Sequence, residues 1–342
     1  MTAADDLAVV LWVAVSAYAL LGGADFGGGF WDLTAGTARG GARLRDRVEH
    51  SIGPVWEANH VWLIFALVVL WTGFPTAFAA VASTLYIPLT IVAIGVILRG
   101  SAFAFRKSVH DLSSKRVLGA TFAAASVLTP FFLGAAAGGI ASGRVPLGIA
   151  RGSIVGSWVN PTSLLGGVLA VGTCAWLAAV YLTGDAARDG ETDLADAFRR
   201  RALGAGVVVG GVSLSGIAVL HADAHVLFAG LTGRALPLVV VSGAAGVVSL
   251  GLLWRRHYGI VRVTGAMAVV AVVWGWAVAQ YPQLLVGGPT VAAAAAPAPT
   301  LHAMLWALLV GGILLVPSLG YLFVLFNAPT HGGHGARTED PS

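Results

Sequence analysis

The sequence predicts an all-α integral membrane protein of about nine transmembrane helices, in a single polytopic domain over residues 1–326. Of its 342 residues, 57% are apolar and only 11% are charged, and the mean hydropathy is +0.83. Soluble domains carry about 25% charged residues, so this chain needs lipid to cover its surface. A bilayer core about 30 Å thick takes roughly 20 residues per helix, which leaves no room for a separate soluble domain.

Uncharged or nearly uncharged runs mark the individual helices. The nine predicted spans are residues 7–30, 52–74, 75–98, 117–140, 162–183, 202–221, 236–254, 260–280 and 301–326. The second and third runs are divided only by the Thr72-Gly73-Phe74-Pro75 break. We expect the first run to be a retained helix, because no basic segment precedes it. Residues 327–342 are predicted to be a disordered cytoplasmic tail.

The distribution of basic residues tests this number of spans, because lysine and arginine collect in cytoplasmic loops. With nine spans, sixteen of the 20 lysines and arginines fall on one side, three on the other, and Arg99 near the end of the third span. The sixteen are Arg39, Arg43, Arg45, Arg47, Arg106, Lys107, Lys115, Arg116, Arg188, Arg199, Arg200, Arg201, Arg255, Arg256, Arg262 and Arg337. This split predicts a multi-pass plasma-membrane protein with its N-terminus outside and its C-terminus in the cytoplasm. It also accounts for the net positive charge without a nucleic-acid partner.

Glycine and cysteine usage concerns packing and redox chemistry. Many of the 46 glycines stand four residues apart within spans, a spacing that lets helices approach closely. The pairs are Gly23 and Gly27, Gly134 and Gly138, and Gly206 and Gly210. Packing within the chain is the favoured interpretation, with a partner interface as the alternative. Cys174 is the only cysteine, which excludes an internal disulfide and a cysteine-based metal cluster.

Three ionisable residues lie within or at the ends of predicted spans, where charge is costly. Asp25 lies near the inner end of the first span, Glu57 opens the second and Arg99 lies near the inner end of the third. We expect all three at the same cytoplasm-facing depth. Two interpretations stay open: a charge cluster that locks three helices together, in which Arg99 is the charge partner, and a set of groups that carries protons.

Histidines are the candidates for haem ligation. His60 is the one histidine clearly within a predicted span, and no second ligand stands at matching depth. We therefore expect this chain to bind no cofactor and no metal. His60 follows Glu57 by three residues and shares its helical face, which suits a proton relay or a packing residue. His221 and His225 have a metal-like spacing, but a polar helix end is the favoured interpretation there.

Four segments carry a specific pattern: residues 22–30 (GGADFGGGF), 51–64 (SIGPVWEANHVWLI), 98–106 (LRGSAFAFR) and 160–167 (NPTSLLGG). They resemble the signature of the cytochrome bd-type quinol oxidase subunit II family, and the resemblance runs from the first helix to the last. It implies two four-helix bundles plus one peripheral helix. It also implies a haem-bearing subunit I as partner, which carries haem b, haem d and the quinol-oxidising site, and a small single-helix accessory subunit.

The resemblance further implies a cytoplasmic proton path for the reduction of dioxygen to water, with the acid at Glu57 on the path and Asp25 nearby. We add His60 as an assisting group on the same face of its helix. Two departures concern other positions: family members often have an acid where Ala104 stands and amides where Gly139 and Ser142 stand. The role of these positions is therefore open.

Two other classes of membrane protein remain as alternatives. A secondary transporter would also be helical and rich in glycine, but it should show broken or polar helices at mid-membrane. Here the acids cluster towards one face of the membrane. A cytochrome that carries its own haem is the second alternative, and it lacks a paired set of ligands.

Overall fold

A computed structural model describes residues 2–36, 40–52, 56–106, 108–109 and 111–327. Within these residues the secondary structure is helical, with one isolated β-bridge between Gln283 and Thr290. The predicted disordered tail lies outside the described residues from residue 328 onward. The predicted all-α class is therefore confirmed.

Thirteen helices, numbered α1–α13 in chain order, make up the described part of the chain. They are α1 Ala3–Leu33, α2 Ala42–Ile52, α3 Trp56–Gly73, α4 Pro75–Thr84, α5 Tyr86–Arg106, α6 Leu112–Ala141, α7 Pro161–Arg188, α8 Thr192–Asp223, α9 His225–Thr232, α10 Leu236–Trp254, α11 Tyr258–Gln280, α12 Val291–Ala294 and α13 Ala298–Asn327. Among the described helices, eight are long and apolar enough to cross a membrane, and the bent pair of α3 and α4 makes a ninth if it counts as one span. This agrees with the predicted number of spans.

The boundary of the third predicted span, residues 75–98, is wrong. Residues 75–84 form the short helix α4, which is bent by 118° from α3, and the span itself runs from Tyr86 to Arg106. The bend lies at the buried Phe74, whose backbone leaves the helical region with φ −136° and ψ 61°. Pro75 has no N–H to donate to α3 but fits the first position of a new helix. A hydropathy profile cannot register this change of direction, because α4 is as apolar as a span.

The same break occurs in the second half of the chain. α8 ends at Asp223, and Ala224 has φ −137° and ψ 59°, almost the values of Phe74. A short helix, α9, follows, and then the span α10. The order of span, short helix, span and span thus occurs twice, in α3–α6 and in α8–α11.

The helices α1 to α12 belong to one compact unit, residues 1–296. Its long helices form two groups of four: α1, α3, α5 and α6, and then α7, α8, α10 and α11. The first group is joined to the second where α1 and α6 pack against α7. The second unit, residues 297–342, contains α13, a long apolar helix with Pro317 inside it. A single domain over residues 1–326 stays a prediction.

Close helix approach at glycine joins the two groups. A Cβ atom added at Gly27 of α1 would lie 1.8 Å from the carbonyl oxygen of Cys174 in α7. Nearby, the Trp31 indole donates a hydrogen bond of 2.7 Å to the Ala175 carbonyl. At Gly138 of α6, an added Cβ would lie 2.6 Å from Ser163 Cα. Packing within the chain, the favoured interpretation of these glycines, is confirmed at Gly27 and Gly138.

Ion pairs join the helix ends at which the arginines collect. We call this the arginine-rich end; it comprises the C-terminal ends of α1, α5, α7 and α10. Asp32 of α1 accepts from Arg45 of α2 at 3.0 Å and from Arg106 of α5 at 3.1 Å. Arg256, after α10, contacts Asp196 of α8 at 3.2 Å. Arg47 of α2 contacts Asp189, after α7, at 2.5 Å. With this pair, the four ends lie on the same side, as the alternation of nine spans predicts.

We predict that Gly27→Ala destabilises the protein, because its methyl group has no room against the α7 backbone. Overpacking of this kind typically costs about 1–3 kcal/mol, so the midpoint of thermal unfolding of the detergent-purified protein should fall by several degrees. Gly210→Ala in α8 is the matched control, since nothing lies within 4 Å of a Cβ at that position. A Gly27→Ala protein as stable as Gly210→Ala would contradict the close approach.

Candidate functional site

Arg99 is the largest fully buried side chain in the described part of the chain, with 1% of its surface exposed. It extends from α5 and meets groups from three other helices. Its Nη2 donates to the backbone carbonyl of Asp25 at 2.9 Å, and its Nε donates to Ser126 Oγ at 3.1 Å. Its Nη1 lies 3.2 Å from His60 Nε2. One guanidinium thus connects α1, α3 and α6 to α5.

Two aromatic rings enclose the same guanidinium. Arg99 Cζ lies 4.9 Å from the centroid of the Phe26 ring and 5.0 Å from that of Phe122. Such contacts stabilise a desolvated cation through the negative faces of the rings. Among the described residues, the ion pairs within 4.0 Å do not include Arg99. Arg99 therefore contacts Asp25 through the main chain and not through its carboxylate.

The carboxylate of Asp25 is bound by an amide instead. Asn59 Nδ2 donates to Asp25 Oδ2 at 2.8 Å, and Asp25 and Asn59 are 3% and 7% exposed. Asn59 was absent from the residues predicted for this site. Its signal in the sequence is a neutral amide directly before His60 in an otherwise apolar helix, and this is weaker than the signal of a charge.

His60 has polar neighbours at both ring nitrogens. A guanidinium can only donate, so the contact with Arg99 makes Nε2 an acceptor and leaves the ring hydrogen on Nδ1. That nitrogen lies 3.4 Å from Tyr18 Oη of α1. His60 is therefore neutral in this arrangement, and it connects the hydroxyl of Tyr18 to the guanidinium. Tyr18 and Ser126 are further members of the site that the sequence did not reveal.

Glu57 lies apart from this cluster. It stands in the first turn of α3, and its side chain is exposed, whereas Asn59 and His60 turn towards the interior. The structure thus brings together three of the four predicted residues, Asp25, His60 and Arg99. Glu57 begins the same helix one turn earlier, where the positive end of the helix dipole favours an acid.

No metal centre is present among the residues that the structure describes: no three His, Cys, Asp or Glu side chains are grouped suitably there. The rings of His221 and His225 lie 6.1 Å apart. The carboxylate between them in sequence, Asp223, is bound by Arg144 at 3.1 Å and by the Thr162 hydroxyl at 2.6 Å. Asp223 therefore joins α8 to the start of α7, which favours the interpretation as a polar helix end.

The chain is similar to known membrane oxidase subunits. A family model described as cytochrome bd terminal oxidase subunit II matches residues 6–326. Cytochrome bd ubiquinol oxidase subunit 2 of Bacillus subtilis (strain 168) is 32% identical over 179 residues, which is 52% of this chain and 51% of the relative. Cytochrome bd-I ubiquinol oxidase subunit 2 of Escherichia coli (strain K12) is 28% identical over 188 residues, 52% of this chain and 48% of the relative.

A solved structure shares the fold. The bd oxidase from Geobacillus thermodenitrificans superposes with a TM-score of 0.73 and 22% sequence identity, covering 96% of this chain and 99% of that chain. The sequence matches span about half the length of the curated relatives. The transporter alternative gains no support from these similarities. Since the family model covers the chain from the first helix to the last, the chain belongs to the cytochrome bd terminal oxidase subunit II family.

Proposed function

We propose that this chain is the non-haem subunit II of a quinol:dioxygen oxidoreductase in the plasma membrane. It assembles with a haem-bearing subunit I, and a small single-helix subunit is a further partner. The names of its relatives as ubiquinol oxidase subunits support this activity. The observation that carries the proposal is the buried cluster of Asp25, His60 and Arg99 in a subunit of this family. Quinol is the electron donor of the complex.

The residues that the structure describes do not fit a haem. Haem, held by subunit I, supplies the iron at which dioxygen is reduced. Axial ligation needs a free imidazole nitrogen or an equivalent group, and both nitrogens of His60 already have polar neighbours. The other described histidines lie in the short helix α2 or at helix ends: His50, His221, His225, His257 and His302. We assign haem b and haem d to the partner on this ground.

Proton uptake is the role that these side chains suit. Reduction of dioxygen consumes protons at a buried site, and lipid supplies no water to carry them, so titratable groups must line an enclosed path. Glu57 is exposed and can exchange protons with the bulk. Asp25 is buried on α1, where the amide of Asn59, two residues after Glu57 in α3, holds its carboxylate in place. His60 and Tyr18 extend the polar row beside it.

Arg99 is the positioning residue of this path. A guanidinium stays protonated in proteins, so Arg99 contributes a fixed positive charge and three oriented polar contacts but does not relay a proton. Its bond to the Asp25 carbonyl orients the α1 backbone from which the carboxylate extends. Asp25 and Glu57 are then the groups that take up and release the proton.

We predict that Glu57→Gln and Asp25→Asn each reduce quinol-driven oxygen consumption at least several-fold in an assembled complex. Both changes remove a titratable group and keep its size. Asp25→Asn also keeps the backbone carbonyl that Arg99 binds, so subunit assembly and the haem absorption spectrum should stay normal. Oxygen consumption and the spectrum are measured on the same preparation, with Asp46→Asn as control, an exposed acid in α2 at the arginine-rich end.

Two other outcomes would discriminate between a proton path and a purely structural charge cluster. Normal turnover in assembled Glu57→Gln and Asp25→Asn complexes would exclude this path. Loss of haem or of assembly in both variants, with Asp46→Asn intact, would favour a purely structural charge cluster.

We predict that the chain expressed without subunit I shows no haem absorption, while the assembled complex does. The reason is the missing pair of axial ligands. An absorption spectrum of the reduced, purified protein measures this directly, with His60→Ala in the complex as control. Stoichiometric haem in the isolated chain, or a lost haem signal in an assembled His60→Ala complex, would contradict the assignment.

We predict that reporters fused near Arg45, Lys115, Arg200 and Arg256 report a cytoplasmic location. Loops rich in lysine and arginine stay on the cytoplasmic side, so we expect the N-terminus outside and the C-terminus in the cytoplasm. A reporter near Arg151 is the control and should score external. An external score near Arg200 would overturn this orientation.

A further inference from the structure

A cavity of about 480 Å³ opens at the arginine-rich end of the second group of helices, between the end of α7 and the start of α11. This volume is within the range of small-ligand pockets. Its lining residues are Gly184, Ala187, Arg188, Tyr258, Gly259 and Arg262. Two of them lack a side chain, and nothing lies within 4 Å of a Cβ built at Gly259. The cavity therefore combines open space with two cationic side chains.

Two cationic side chains at this cavity share one acid. Arg188 and Arg262 both donate to the same oxygen of the Asp185 carboxylate, so two positive charges share one negative charge. Arg262 also donates from Nη2 to the Tyr181 carbonyl at 2.8 Å. Asp189, next to Arg188 in sequence, is bound by Arg47 of α2, so Asp185 is the one acid in ion-pair contact with Arg188 and Arg262 among the described residues.

One donor at the cavity also lacks an acceptor. Arg262 Nε is buried and has no hydrogen-bond partner among the described residues, and buried donors of this kind are rarely left unpaired. A Cβ built at Gly184, a lining residue, would lie 2.9 Å from this atom. The unpaired N–H lies against the α7 backbone at the cavity wall, and an oxyanion in the cavity would reach it after a shift of the Arg262 side chain, which is 32% exposed.

The position of the cavity along the helices indicates that a bound anion would come from a lipid headgroup. Arg188 is the last residue of α7, Tyr258 is the first of α11, and Trp254, the last of α10, is 75% exposed. Tryptophan and tyrosine at span ends mark the headgroup level of a bilayer. Ile260 and Val263 of α11 are exposed next to the cavity and offer an apolar surface for acyl chains. Basic pockets between membrane helices at this level bind acidic lipid headgroups.

We infer that this cavity binds the headgroup phosphate of an anionic phospholipid, with Arg188 and Arg262 as its cationic contacts. Tyr258 adds a hydroxyl at the rim of the same cavity. Soluble phosphate shares this chemistry but lacks acyl chains, and the apolar surface at Ile260 and Val263 favours the lipid. The bound lipid would join the ends of α7 and α11.

The test measures thermal unfolding of the full-length protein, purified in detergent with its associated subunits. Dioctanoyl phosphatidylglycerol, zwitterionic dioctanoyl phosphatidylcholine and inorganic phosphate are titrated separately. We expect saturable stabilisation by phosphatidylglycerol and none by phosphatidylcholine or inorganic phosphate. The double variant Arg188→Gln and Arg262→Gln should weaken the apparent affinity at least tenfold. Arg116→Gln, which removes an exposed charge at the arginine-rich end far along the chain from this cavity, should leave it unchanged.

A second variant keeps the test decisive if the double variant does not fold. Gly259→Leu fills the open part of the cavity and leaves both arginines in place, and it should abolish the stabilisation. Equal losses in Arg116→Gln and the double variant would mean diffuse surface attraction and overturn the site. Equal stabilisation by inorganic phosphate would overturn the lipid as occupant, and unchanged lipid binding in Gly259→Leu would overturn the cavity. The measurement needs no turnover, so its outcome is independent of the oxidase proposal.

Discussion

The burial of one guanidinium is the constraint on which the first four-helix group depends. A charge within the membrane is expensive unless its donors are satisfied. Arg99 meets this requirement with the Asp25 carbonyl, Ser126 and His60, each from a different helix, and with two aromatic faces. Any rotation of α1, α3 or α6 would remove one of these contacts. The same contacts that reduce the cost of the charge therefore orient the acidic and imidazole side chains of the site.

Two other kinds of interaction complete the framework, at different depths. Within the apolar region, where no hydrophobic force drives helices together, dispersion at glycine contacts such as Gly27 against α7 holds the two groups. At the arginine-rich end, where water and headgroups are near, ion pairs of Asp32 and Asp196 join the helix ends. The polar cluster lies in the apolar region, where Asp25 stands two residues before Gly27 on α1.

The all-α fold class, the number of spans and the charged residues of the site could be predicted, because each depends on local properties of the sequence. Asp25 and Arg99 stand out as charges within apolar runs. Asn59, Ser126 and Tyr18 could not be found in this way, since neutral polar residues are common in membrane helices. The orientation of α3 could not be predicted either. This helix is apolar on nearly every side, so its sequence pattern does not show that Asn59 faces inward and Glu57 outward. The break at residues 72–75 was predicted, but the change of direction at Phe74 was not, because hydropathy carries no direction.

The repeated order of helices has a consequence for how the chain divides its work. Phe74 and Ala224 stand at equivalent breaks, 150 positions apart, and the same offset places Ser249 where Arg99 stands in the first half. There the interior is a pair of hydroxyls: Ser249 Oγ lies 2.7 Å from Thr264 Oγ1 and donates to the Ala245 carbonyl. The same order of helices thus accommodates either a charged side chain or neutral hydroxyls at this interior position. A second half with the same order of helices and only hydroxyls at this position can pack without the contacts that a buried charge requires.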